Sequence, residues 1–503
     1  MAYDLIVVGA GSAGCVAAAR LSEDPGRSVL LLEAGPDFPR RQDLPADVVD
    51  ASQPTLDHDW GFVSEPGGLG REVPLPRGRL VGGCSATNAA FLLRGRPADY
   101  DGWAAAGNPG WSFEDLLPTF RAVEADPVGG EWHGASGPIP VRRPSRAELT
   151  PLQLAFADAA VAAGHSWVDD LNHPHAEGVG PTPRNVRDGV RMSAALTHLA
   201  PARARDNLTV GAGDLVDAIV LDGARVRGVR LAGGEVVEAP SVVLAAGTYC
   251  SPAILLRSGV GPAGPLRELG IDPVVDLPGV GRNLADHPLV AVDLPTVPGF
   301  DGPRFQVLLV ARSSRCPAGA PPDLQLFAAG PFDAETSPTG AVFGIVTALV
   351  APISRGSVRL RSADPLDPPR IETPLLGNED DVLRMVDATL TARALSRTPP
   401  LSELVTAPEL EPGPAVEDHD RAAIARSIRA RVGPYHHPVG TCAMGPDPAA
   451  GAVVDAGGAV HGVEGLWVAD ASVMPTVPSV PTHLTTVVVA TRIAAAVAGR
   501  QPS

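Results

Sequence analysis

The chain has 503 residues, too many for one small core, so two or three structural units are expected. Its composition, 45% hydrophobic and 19% charged with 55 Gly and 53 Pro, is that of a turn-rich globular protein and not of a disordered one. Forty Lys and Arg against 57 Asp and Glu leave a formal charge of −17, which argues against non-specific nucleic-acid binding and against docking on anionic lipid.

In chain order, Met1 to Asp4 lacks the basic region of a signal peptide, and no run of about 18 apolar residues follows anywhere. Gly344 to Ile353 is too short to span a bilayer, so a soluble cytoplasmic enzyme without a membrane span is expected. Asp4 to Val8 and Ser28 to Glu33 read as strands buried on both faces, with a helix over Ala13 to Leu21 between them, a βαβ unit. Trp60 to Tyr100, rich in Gly, Pro and Arg, reads as a long ordered excursion over a surface. Pro151 to Gly164 patterns as an amphipathic helix. Asn207 to Val210 and Val226 to Leu231 alternate like antiparallel strands, and Val242 to Gly247 returns to buried parallel-strand character. Arg304 to Val350 reads as strands of a second sheet, Asn378 to Ser396 as a helix, and Glu409 to Asp420 as an acidic, proline-bearing connection. Leu466 to Ala469 is a buried strand, and a last helix is expected from Thr485 to Ala498. The fold class that fits this order is α/β: a Rossmann-type domain built from discontinuous segments, with an inserted, mostly antiparallel-sheet substrate domain. Cys15, Cys84, Cys250, Cys316 and Cys442 show no CxxC spacing, so neither a disulfide framework nor a metal site is expected.

Gly9-Ala10-Gly11-Ser12-Ala13-Gly14 matches G-x-G-x-x-G after a buried strand and at the opening of a helix. Gly9 permits the tight turn, Gly11 a close backbone approach to a diphosphate, and Gly14 close helix–strand packing. Ser12 and Ala13 put amide groups at the helix start, where the macrodipole favours an anion. Glu33, followed by Ala34, closes the second strand and can accept from ribose hydroxyls. The motif alone leaves FAD and NAD both open.

A second glycine-rich loop, Pro76-Arg77-Gly78-Arg79-Leu80-Val81-Gly82-Gly83-Cys84-Ser85-Ala86-Thr87-Asn88, follows far downstream. Two further blocks run from Ala246 through Pro262 to Asn283-Leu284-Ala285-Asp286-His287-Pro288, and from His437-Pro438-Val439-Gly440-Thr441 to Asp470-Ala471 and Thr476. In these blocks the sequence resembles the glucose–methanol–choline (GMC) oxidoreductases, flavoenzymes that oxidise alcohols. The resemblance runs from residue 4 to about residue 496 and is weak only from Val290 to Val350. It implies FAD as the cofactor. Arg79, Val81, Gly83 and Ser85 would belong to the cofactor loop, Asn88, Ala89, Ala90 and Phe91 would contact the flavin, and Val216 would meet the adenine through its backbone. Asp470 and Ala471 would sit by the ribityl–phosphate region, and the last helix would point its start, around His483, Leu484 and Thr485, at the flavin pyrimidine. By the same token residues 1–290 would form the FAD-binding region with part of the substrate domain. Residues 291–430 would form the substrate-binding domain, and 431–503 the return to the FAD domain with the catalytic histidine. Some family members tether FAD through a histidine of the first loop; Thr87 stands there, so FAD is expected to be non-covalent.

Alcohol oxidation needs a base near neutral pH, which histidine suits, while flavin N5 takes the hydride. His58, His133, His165, His173, His175, His198 and His419 lie in polar or Pro/Gly-rich contexts and read as surface or turn residues, and His287 and His461 as structural. In the pair His436-His437, Pro438 biases the backbone towards extended, so one ring is expected to face the flavin. The residues leave that choice even; the family pattern selects His437. Matching the family's segment before the last helix puts Pro481 where its second catalytic His or Asn is expected. Either His437 works alone, or His483 has taken the second role; the first is favoured. The expected partners are a small-molecule alcohol and oxygen or another electron acceptor. A flavin-containing lyase without net redox, a nicotinamide-dependent dehydrogenase and a non-catalytic scaffold are the alternatives. The substrate would be read by Val290 to Val350 and by Asp367 to Asn378.

Overall fold

A computed structural model describes residues 3–299, 302–373 and 375–499. Phe300, Asp301 and Pro374, which fall in the two stretches expected to read the substrate, lie outside the described residues.

Five parallel strands form the first sheet, in the order Leu466–Val468, Val242–Leu244, Leu5–Val8, Val29–Glu33 and Leu208–Ala212. The central strands are continuously apolar because helices cover both faces. Helix Ser12–Leu21 packs against the last helix, His483–Val497, which starts two residues earlier than the pattern predicts. The stretch expected as an antiparallel strand at Asn207 to Val210 is instead the parallel edge strand of this sheet. Its alternation has a different cause: an edge strand buries part of one face, and only Leu208 is fully buried here. Asn207 spends its amide on the carbonyls of Ser22, Asp24 and Arg27. Val226 to Leu231 is antiparallel as expected, in a three-stranded meander with Val216–Asp222 and Val236–Glu238.

The second sheet has six antiparallel strands, in the order Gly433–Pro434, Pro288–Thr296, Ala341–Leu349, Leu324–Asp333, Val307–Ala311 and Gly178–Pro181. Strand alternation sorts its side chains into two cores. Val307, Leu309, Leu326 and Ala328 pack with helices Pro151–Ala162 and Glu379–Ser396. Leu308, Val310, Phe327 and Ala329 pack on the opposite face with Leu93, Leu171 and Val480. The Pro151–Ala162 helix is less amphipathic than its sequence suggests: Leu152, Gln153, Ala155, Phe156, Ala157, Ala159 and Ala160 are all buried. Asn378 caps the Glu379–Ser396 helix by accepting from the Asp380 N–H. No helix among the described residues is long and apolar enough to cross a membrane.

Candidate active site

The two glycine loops, some seventy residues apart, meet backbone to backbone. Gly82 N–H donates to Ala10 O at 2.7 Å. Gly83 has φ +50, and a Cβ there would lie 2.6 Å from Gly11 Cα. Gly9, at φ +93, turns so close to the Val242–Leu244 strand end that a Cβ would stand 2.7 Å from Ala245 O. The result is a cavity of about 590 Å³ between the first sheet, the second loop and the second sheet. The helix starting at Ser12 points its free amides towards this space and has no acidic side chain in its first turn to compete for them.

Most residues expected to hold the cofactor line this one cavity: Gly9, Gly11, Ser12, Ala13, Glu33, Ala34, Arg79, Gly83, Asn88, Ala89, Phe91, Val216, Asp470, Ala471 and His483. Six expected residues lie behind the wall and do not line it. Gly14 packs on Gly9, where a Cβ would come within 1.7 Å of Gly9 O. Val81 donates its N–H to Pro36 O, and Ser85 bridges Gly82 O and the Ala194 N–H. Ala90 turns the chain at φ +58 with its N–H on Asn88 Oδ1. Leu484 is fully buried, and the Thr485 hydroxyl pairs with Tyr100 Oη at 2.8 Å; one turn of helix rotates both away from the side that His483 and Thr486 present. Glu33 faces the cavity with both oxygens already accepting, from the Ala10 and Gly35 N–H groups at 2.9 Å, and burial raises its pKa. Asp470 accepts from the Gly247 N–H, the Ser251 hydroxyl and the Ser472 N–H, tying the Gly247–Arg257 helix start to the cavity wall.

At the other side of the cavity the segment 285–288 runs antiparallel to 434–439. Ala285 and Val439 exchange N–H···O bonds, Pro288 pairs with Pro434, and Tyr435 N–H donates to His287 O at 2.8 Å. Asp286 Oδ1 accepts from the main-chain N–H of both His287 and His437, at 2.7 and 2.8 Å. These bonds bring His287 Nδ1 to 3.1 Å from His437 Nδ1. Burial, reinforced by His287, His436 and Arg77, holds His437 well below its ordinary pKa, and burial pushes His287 down to about 3, so both rings are neutral at pH 7.

Both members of the His436–His437 pair line the cavity, not one alone. His436 adopts φ +68 and is exposed on the cavity wall, and its carbonyl accepts from Arg77. Pro481 lines the cavity and offers no polar group there. His483 opens the last helix, 9% exposed, with its Nδ1 unpartnered and burial holding its pKa down at about 4. The second sheet and the chain next to its strands add residues not expected from the sequence: Phe305, Phe327 and Tyr435 form with Phe91 a run of rings 5.9–6.0 Å apart, and Tyr435 lies 4.3 Å from the His437 ring. His287 was missed too, and its signal was a second His-Pro step, Asp286-His287-Pro288, resembling His437-Pro438. His133, expected at the surface, is buried among Glu124, Asp126 and Asp170.

The GMC oxidoreductase family models match residues 3–289 and 352–490. The chain belongs to the GMC oxidoreductases. These enzymes bind FAD, and the named relatives act on alcohols. The chain is 36% identical to the 5-(hydroxymethyl)furfural oxidase of Methylovorus sp. (strain MP688), over 98% of each protein. It is 35% identical to the FAD- and quinone-dependent glucose dehydrogenase of Drosophila melanogaster, over 97% of this chain and 85% of the relative. The crystal structure of pyridoxine 4-oxidase from Mesorbium loti superposes with a TM-score of 0.90 at 33% identity, covering 98% of each chain. The residues present fit the family's cofactor: the cavity is lined by a glycine-rich helix start suited to a diphosphate. It is lined too by the first residue of the last helix, whose buried ring nitrogen has no partner among the described residues.

Proposed function

We propose that this GMC oxidoreductase holds FAD non-covalently in the shared cavity and oxidises a primary alcohol borne on an aromatic or heteroaromatic ring. The observation that carries this reading is the position of neutral His437, which lines the same cavity as the glycine loops and has an aromatic wall beside it. A neutral imidazole is the form that accepts a proton, so His437 takes the hydroxyl proton of the alcohol through its free ring nitrogen. FAD, when bound, supplies the hydride acceptor. Phe91, Phe305, Phe327 and Tyr435 keep water away and seat a flat ring by edge and face contacts. With Pro481 silent, His437 is the single base. His483 serves the cofactor instead: its unpartnered nitrogen and the helix start behind it suit a ring that gains negative charge. Thr87 provides no nitrogen for a covalent link to FAD. Residues 1–290 and 431–503 carry the cofactor and the base, and 291–430 the substrate wall, joined by Phe91 and Tyr435 from outside that segment. The names of the furfural and pyridoxine oxidases support the ring preference.

The test is anaerobic reduction of the protein's flavin by a panel of alcohols, repeated in air to separate oxygen from other acceptors. Benzyl-type alcohols should bleach the flavin at concentrations about tenfold or more below those needed for aliphatic ones, a difference of ~1.4 kcal/mol. Equal responses would remove the aromatic claim, and bleaching by no alcohol would remove the oxidation claim. Denaturation followed by filtration should release all of the flavin.

A further inference from the structure

We infer that His287 is a positioning residue that decides which nitrogen of His437 carries the proton. The inference rests on reading His437 as the base, and it begins with the 3.1 Å contact between the two Nδ1 atoms. A neutral imidazole has one N–H and one lone pair, so this contact needs a donor on one ring and an acceptor on the other. The two arrangements differ in chemistry. If His287 donates, His437 must carry its own proton on Nε2 and has no lone pair left for a substrate. If His437 donates from Nδ1, its Nε2 lone pair is free to take the hydroxyl proton.

The reading of His437 as base selects the second arrangement. The His287 ring is fully buried, and His437 occupies its Nδ1 side. With its own proton on Nε2, His287 presents Nδ1 as an acceptor, and the donor is then on His437. The strand pairing then holds the two rings in register, since one oxygen of Asp286 binds the backbones of both. The ring that touches His437 Nδ1 is a neutral histidine, where a carboxylate would also have raised the pKa of the base.

The experiment compares His287→Leu, which cannot accept the proton, with His287→Asn, whose carbonyl oxygen can. In anaerobic flavin reduction by a saturating alcohol, His287→Leu should slow the reduction about 100-fold or more, the kind of loss that follows a wrong tautomer. Substrate affinity and FAD content should stay near wild type, and His287→Asn should recover most of the rate. A His287→Leu variant that reduces at the wild-type rate, or an Asn variant as slow as Leu, would overturn the inference. Neutron diffraction of the wild-type protein decides the pairing even if both variants fail to fold, and without reference to turnover. A deuteron on His437 Nδ1 is expected; one on His287 Nδ1 would overturn the inference. If no alcohol reduces the wild type, or His437→Ala reduces as fast as wild type, the reading of His437 as base fails. An effect missing only at His287 removes the positioning role alone.

Discussion

His133 is buried and His437 half-buried on the cavity wall, and their surroundings make them opposite kinds of histidine. Around His133 three carboxylates converge: Nδ1 lies 3.1 Å from Asp126 and 3.3 Å from Glu124, and Nε2 lies 2.9 Å from Asp170. Arg94 and Arg143 bind the same acids, so three cations meet three anions. Burial alone would push His133 down, but these hydrogen bonds outweigh it and push the pKa up to about 10. At His437 two histidines and an arginine add to the effect of burial and lower the pKa further. The lesson is that burial does not decide protonation; the partners admitted along with the ring do. Glu124, Asp126 and His133 bring their ligand atoms within 4.8 Å of one another, yet the acids are already engaged by Arg94 and Arg143, so the cluster reads as an ion network.

The largest effect is expected from taking the cation out of the charged cluster. His133→Gln should cost about 3–5 kcal/mol in urea unfolding at pH 6–7, because it leaves buried carboxylates short of a partner. A loss below about 1 kcal/mol would mean the cluster is already hydrated and weak. The pH dependence has a definite sign. The folded pKa of His133 is raised, so its stabilisation is whole below the unfolded value of 6.5 and is lost as pH rises through about 10. The gap between wild type and His133→Gln should therefore be constant in mild acid and close across that window.

Asp286 sharpens the contrast, because it is an acid placed next to the neutral histidines. Burial pushes its pKa from 3.8 up to about 7, against the pull of Arg77 and of the two N–H groups it binds. Its contribution to stability is thus present below about pH 4 and lost as pH rises through about 7. Asp286→Asn keeps the oxygen acceptor and removes the ionisation. Melts of the protein between pH 4 and 7 should show a wild-type decline, roughly 4 kcal/mol at most, that the Asn variant lacks. Parallel melting curves would contradict the dominance of burial over the Arg77 charge at Asp286. The smallest effect belongs to Tyr435, whose buried hydroxyl has no hydrogen-bond partner among the described residues. Tyr435→Phe should change stability by less than about 1 kcal/mol and leave ring-bearing alcohols as good substrates, which thermal melts and steady-state KM check. A loss of several kcal/mol would show a partner for that hydroxyl.

What could be read in the sequence was local. The βαβ unit, the glycine fingerprint, Glu33 and the last buried strand follow from short-range pattern, and each takes its expected place in the first sheet. The direction of the Leu208–Ala212 strand was not legible, because an edge strand and an antiparallel strand share the same half-buried alternation. The last helix starts at His483, two residues before the expected Thr485, and of its first turn His483 and Thr486 line the cavity. His287 and His437 are 150 residues apart, and only the cross-strand pairing of 285–288 with 434–439 brings them together. The burial of His133 was hidden for a similar reason: its acids come from positions 124, 126 and 170, and a polar local sequence looks like a surface.

We propose His437 as the base for alcohol oxidation in the cavity formed by the two glycine loops. Its most direct test is anaerobic stopped-flow reduction of the flavin by a benzyl-type alcohol, in wild type and in His437→Ala loaded with the same FAD. Loss of a general base predicts a fall in the reduction rate of about 10²–10⁴-fold, with the alcohol's affinity changed far less. Reduction of the His437→Ala flavin at the wild-type rate would contradict the account.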